Sequence, residues 1–187
     1  MNKCTKNLLK LSLLASLLVA CGLTGETKIR LESSAKEIKD EINKLKQEAI
    51  GEGVNFSAFT DKATGSGVAG SQFIFKAKIR ATDAALKFVT AIKEEAEKLK
   101  ESGSSGAFSA MYDLMLDVSE PLEKIGVGEM TKTVSAGIVE NPPTTAERVI
   151  EIANKMEEKL KNVNKKNVAA LEKKETAASS PSTPAKK

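Results

Sequence analysis

The chain has 187 residues, with 29 basic and 25 acidic side chains, 41% hydrophobic residues, two cysteines, and no His or Trp. Without His it lacks the commonest general base and the commonest metal ligand. No nucleophile motif, phosphate-binding glycine loop or metal-spaced ligand cluster takes their place, so the residues argue against an enzyme, a cofactor or a metal site.

Lys3, Lys6 and Lys10 precede an apolar run, Leu8 to Ala20. The run is too short for a transmembrane helix, which needs roughly 20 apolar residues, and has the pattern of a signal peptide over 1–20. Its end, Leu18-Val19-Ala20-Cys21, is a lipobox, which makes Cys21 the expected lipidation site and 21–27 a tether to the membrane. Cys4 would leave with the signal, so the mature domain has no intramolecular disulfide and depends on its core.

The spacing of Leu31, Ala35, Ile38, Ile42, Leu45 and Ala49 predicts an amphipathic helix from Lys28 to about Ile50. Glycines at 51, 53, 65, 67 and 70 mark a long loop over 51–71, its first part pinned by Val54, Phe56 and Phe59. A second helix is expected from Gln72 to about Lys100, capped by Ser71, with Phe73, Ala77, Ala81, Ala84, Phe88, Ile92, Ala96 and Leu99 inward. A third, Ala107 to about Ile125, turns Phe108, Met111, Met115, Val118, Leu122 and Ile125 inward and carries a helix-disturbing Pro121.

Gly126 and Gly128 form a joint before a short helix holding Met130, Val134 and Ile138. Asn141-Pro142-Pro143 is a break, after which Thr144 and Glu147 have capping-box spacing. The last helix then runs from about Thr145 to Lys174, burying Val149, Ile152, Met156, Leu160, Val163 and Asn167 or Leu171. No segment alternates like a strand. The expected architecture is an all-α antiparallel bundle of about five helices over 28–175, with a disordered Lys/Ser/Pro tail over 176–187.

The charge is unevenly spread. Residues 155–187 hold nine lysines against four glutamates, a net +5, whereas 21–154 sum to −4. At 100° per residue, Lys155, Lys159, Lys166 and Lys173 fall within about 40° of one another, beside the apolar face, while Lys161 and Lys165 point to solvent. The stripe suits a polyanionic partner. It equally suits a solvated helix face with pairs such as Glu151 and Lys155.

Cys21-Gly-Leu-Thr-Gly25, Thr27-Lys-Ile-Arg-Leu-Glu32, Lys78-Ile-Arg-Ala-Thr82, Lys98-Leu-Lys-Glu-Ser-Gly-Ser-Ser-Gly106, Phe108-Ser-Ala-Met-Tyr-Asp-Leu-Met115 and Asn141-Pro-Pro-Thr-Thr-Ala146 resemble the decorin-binding protein A family of spirochaetal surface lipoproteins. The resemblance runs from the lipobox through the last helix. It implies a helical-bundle adhesin, lipid-anchored at the bacterial outer surface, that binds the sulfated glycosaminoglycans of host decorin, namely dermatan sulfate, and also heparin.

By the same resemblance the binding lysines are Lys78, Lys159 and Lys166; Lys62, Lys76 and Arg80, with Lys155 and Lys173 of the stripe, are the supporting candidates. The family's basic loop between the first two helices is represented here by Lys62 alone, which implies weaker heparin affinity or more reliance on the helices. A monomeric domain without nucleic-acid partners is expected. The competing readings are a module for a host protein, a structural envelope lipoprotein, and, least supported, a hydrolase using Asp113 and Asp117, whose spacing of four reads more simply as a helix surface.

Overall fold

The computed structural model describes residues 22–60, 71–136 and 142–179. Helix α1 spans Gly25–Gly51 and is followed by a 3-10 turn, Phe56–Phe59. Helices α2 (Ser71–Lys98), α3 (Ser105–Lys124), α4 (Met130–Ser135) and α5 (Ala146–Ser179) complete the order, and no strand occurs among the described residues.

All six apolar positions expected on α1 are buried. Asn55 starts the 3-10 turn by accepting from Ser57 N, and the turn drives Phe59 into the core with Val54, while Phe56 packs half-buried beside it. Phe59 packs at 4.9 Å on Phe56 within the turn and edge-on against Phe73 of α2 at 6.2 Å, while Lys46 of α1 lies 6.0 Å over the Phe56 ring, so the first part of the loop is tied to both neighbouring helices. The expected signal segment, Cys21, Lys62, Ile138 and Asn141 lie outside the described residues.

Helix α2 is the hub. It packs against α1 on one side and α5 on the other, so its buried set is wider than a single stripe: Ile74, Phe75, Ala85, Val89 and Ala91 join Ala77, Ala81, Phe88, Ile92 and Ala96. Phe73, Ala84 and Leu99, expected inward, are half-buried at the edges of that band. Small residues at 77, 81 and 85 let the neighbouring helices approach closely.

In α3 the six expected core residues are buried, and the helix continues through Pro121 rather than stopping there. Ser104 caps it, accepting from Ala107 N at 3.4 Å. The joint after α3 turns on Gly126 at φ 89° and Glu129 at φ 57°. Met130 and Val134 of α4 are buried, as the spacing predicts.

Three boundaries differ from expectation. Helix α1 begins at Gly25, inside the expected tether, and α5 extends to Ser179, past the expected start of a disordered tail at 176. Helix α2 takes in Ser71 as its first residue instead of using it as a cap. The cap of α5 is Thr145, which accepts from Arg148 N at 3.3 Å, so the Thr144–Glu147 spacing is one residue out of register. Thr145 is the last non-helical residue, and only from there does its oxygen reach the third amide of the helix.

Helix α2 runs antiparallel to α1, α3 and α5, with Lys93 level with Glu157 and Thr82 with Asn164. Helices α1 and α3, separated by the return of α2, run in the same direction: Thr27 and Ala107 line one cleft at their starts, and Lys39 pairs with Asp117 midway. The joint between α3 and α4 therefore sits at the end of the bundle where α1 stops and α2 starts. No described helix is long and apolar enough to cross a membrane.

Candidate functional site: a lysine surface around the α3–α4 joint

Lysines from two helices meet the joint. Lys78, two turns into α2, reaches Gly126: a Cβ there would stand 2.8 Å from the Lys78 ammonium and 2.2 Å from the Phe59 carbonyl oxygen. Glycine at 126 thus supplies both the left-handed φ and the space into which the lysine extends. Lys78 is half-buried and has no ion-pair partner among the described residues; burial pushes its ammonium below the usual lysine range.

Lys159 arrives from α5 and is differently placed. Its ammonium donates to the Glu129 carbonyl oxygen and to Thr133 Oγ1, both at 3.2 Å, with the Glu129 carboxylate 3.9 Å away. Lys166 lies two turns further along the same face, roughly 10 Å by helical rise, and is exposed with no ion pair among the described residues.

A polar link fixes the helices that carry these lysines. Asn164 donates to Thr82 Oγ1 at 2.8 Å and to Asp83 Oδ1 at 2.9 Å. Nearer the other end, Lys93 pairs with Glu157 at 2.8 Å. That register sets Lys166 level with Lys78 across the α2–α5 contact, and Lys159 about two turns back toward the start of α5.

The supporting residues divide. Lys76 and Lys173 are exposed without ion pairs among the described residues. Lys155 is paired with Glu151 at 2.8 Å, the pair expected of a solvated helix face. Arg80 is committed to α1: its guanidinium reaches Glu41 at 2.7 Å and Glu48 at 2.6 Å, and the hydrogen bond it donates to Glu48 raises its pKa further. It braces α1 against α2 and has little charge left for a ligand.

Sequence reasoning missed Glu129, Thr133 and Asn164. The glycine joint was visible in the pattern, but the contact of Lys159 with a backbone carbonyl 30 residues away leaves no local signal. No group of carboxylates, cysteines or histidines among the described residues could hold a metal ion. Asp113 is exposed on α3 and Asp117 pairs with Lys39, so the pair forms no acid–base couple.

An all-helical bundle presenting unpaired ammonium groups at one end has the makings of a binding protein for anions. Comparison with known proteins makes this specific. Residues 26–183 match the family model described as decorin binding protein, and the chain belongs to that family. It is 63% identical to decorin-binding protein A of Borreliella burgdorferi strain B31 over 94% of this chain and 92% of that one. It is 45% identical to decorin-binding protein B of the same strain over 86% and 87% of the two chains.

Among solved structures, decorin-binding protein A of Borrelia burgdorferi strain N40 superposes with a TM-score of 0.69 at 60% identity, covering 82% of this chain and 93% of that one. The protein from Borrelia garinii strain PBr gives 0.61, also at 60% identity, over 86% and 100%. The resemblance read from the sequence and the helical bundle are thereby established, and family membership places the chain among binding proteins rather than enzymes.

Proposed function

We propose that this chain is a surface adhesin, lipid-anchored through Cys21 at the outer membrane, that binds the sulfated glycosaminoglycan chains of decorin through Lys78, Lys159 and Lys166. The relatives' names supply decorin. The observation that carries the glycan reading is Lys78, a half-buried ammonium with no carboxylate beside it among the described residues. Burying an unpaired charge costs stability, and no described residue pairs with this one, so the cost is accounted for by a ligand that brings the counter-charge.

Lysines replace counterions condensed on a sulfated chain, as they do on nucleic acid, so affinity falls steeply with salt. Compact ammonium groups accept many sulfate geometries, and selectivity then comes from their spacing across α2 and α5. The test is binding of residues 22–187 to immobilised dermatan sulfate across a salt series, beside a Lys78, Lys159 and Lys166 triple-alanine variant and an Arg80→Ala control.

Salt-sensitive binding that the triple variant loses and Arg80→Ala largely keeps supports the reading. Binding that persists at roughly 0.5 M salt, beyond the range of screened surface charge, would instead favour contact with a protein core.

A further inference from the structure

Glu129 is the one described non-glycine residue with positive φ, at 57°. A left-handed backbone is unfavourable for an ordinary side chain, and here three donors hold it through a single acceptor. The Glu129 carbonyl oxygen takes Thr133 N at 3.0 Å, Thr133 Oγ1 at 2.8 Å and Lys159 Nζ at 3.2 Å. Lys159 is therefore a bolt that fixes the start of α4.

An ammonium has three protons to donate. Two of them serve the Glu129 carbonyl and Thr133 Oγ1. The third is left for an anion, and the nearest among the described residues is the carboxylate of Glu129 itself, at 3.9 Å. The Lys159 side chain is only 26% exposed while that of Glu129 is 73% exposed. The carboxylate thus stands on the solvent side of an ammonium that an incoming sulfate must reach.

We infer that Glu129 is an anionic competitor built into the binding surface, occupying the free valence of Lys159 until a densely sulfated chain displaces it. This rests on the glycosaminoglycan reading proposed above. An exposed ion pair of this length is weak, so it yields to a chain that engages Lys78, Lys159 and Lys166 together. It holds against a ligand with sparse charge, such as an unsulfated polyuronate, because such a chain offers Lys159 no more than the carboxylate already there. Glu129 therefore sets a threshold of charge density for the ligand.

The experiment compares the parent domain with Glu129→Gln, Lys159→Gln and the double variant. Glutamine at 129 keeps the carbonyl that α4 needs and removes only the charge. Binding of a heparin-derived hexasaccharide and of an unsulfated hyaluronan hexasaccharide is measured at low and at moderate salt. Glu129→Gln is expected to bind heparin about two- to five-fold tighter at low salt, the range of a surface ion pair, and to gain proportionally more for hyaluronan.

The gain should shrink at moderate salt and be absent when Lys159→Gln is present. An equal gain with Lys159 already replaced would show that Glu129 acts only through the general field, and would overturn the assignment. Unchanged affinity in Glu129→Gln, with the parent binding and Lys159→Gln weakened, would overturn the competitor role while leaving the glycan reading standing. A parent that binds neither sugar would remove both.

Discussion

Thr27 Oγ1 at the start of α1 donates to the Glu95 carboxylate near the end of α2 at 2.9 Å, across 68 residues of sequence. Glu95 is 4% exposed and also receives Arg30 and Lys98, the latter at 2.8 Å. Burial alone would raise its pKa, but the hydrogen bonds from Lys98, Thr27 and Arg30 prevail and hold it at about 2. Four side chains from two helices thus close one end of the bundle around a single charge.

A depressed carboxylate pKa contributes stability that is present above the unfolded value, 4.5, and lost as pH falls toward the folded value. Acid titration of unfolding should therefore show the parent losing stability between about pH 4.5 and pH 2. Glu95→Gln should be less stable at pH 7 by on the order of 2 kcal/mol, after allowance for the exposed Arg30 and Lys98. It should also change less over the same acid window. Equal pH slopes for parent and variant, by chemical denaturation, would show that the Glu95 cluster does not carry this dependence.

At the opposite end the charge balance is reversed, because Lys78 has no partner among the described residues. Lys78→Met keeps the length and apolar stem of the side chain and removes an ammonium that the fold pays to desolvate. Its thermal midpoint should equal or exceed that of the parent, while heparin affinity falls about tenfold, the loss expected when one charge-assisted contact of some 1.4 kcal/mol is removed. The parent's disadvantage should fade as pH rises through the depressed lysine pKa toward 10.5, since the cost belongs to the charged form. A strongly destabilised Lys78→Met would mean that the ammonium has a structural partner after all.

Gly126→Ala probes the joint between the lysines. The new methyl would meet the Phe59 carbonyl at 2.2 Å and the Lys78 ammonium at 2.8 Å, on a backbone at φ 89°. The lysine end can swing away; the carbonyl cannot. The strained φ and the clash together should cost about 1–3 kcal/mol, with Lys78 displaced and heparin binding weakened. Alanine at Gly128, where a Cβ meets nothing within 4 Å, should leave both nearly unchanged in the same assays.

Much of the fold was legible because the signal is local. On α1 one apolar stripe faces one core, and all six residues read from it are buried. On α2 the same reading was too narrow, since a helix held between α1 and α5 buries two adjoining faces and carries Ile74, Phe75, Ala85 and Val89 on the second. The cap of α5 was missed by one residue because Thr144 and Thr145 are both competent and only the backbone path after Pro143 decides between them.

The site was legible in its residue types but not in its assignments. Periodicity put Lys159 and Lys166 on one face, and the resemblance added Lys78. The Glu151–Lys155 pair was legible from its spacing of four, but neither could show that Lys159 is half consumed by Glu129 and Thr133 or that Arg80 is held by Glu41 and Glu48. Those partners lie between 26 and 39 residues away in the chain, where composition and spacing carry no information.

The antiparallel return of α2 also fixes a distance. Gly22 and Leu23 line the cleft with Leu99 and Ser104, at the end of the bundle closed by Glu95, whereas Lys78 is 17 residues back along α2 from that carboxylate. At 1.5 Å per residue the separation is about 25 Å, or roughly three Debye lengths at physiological ionic strength. If the domain is tethered by the residues ahead of Gly22, as proposed, Lys78 and Lys166 stand beyond the screened field of an anionic surface at that end, so the surface neither neutralises them nor repels the polyanion that approaches them.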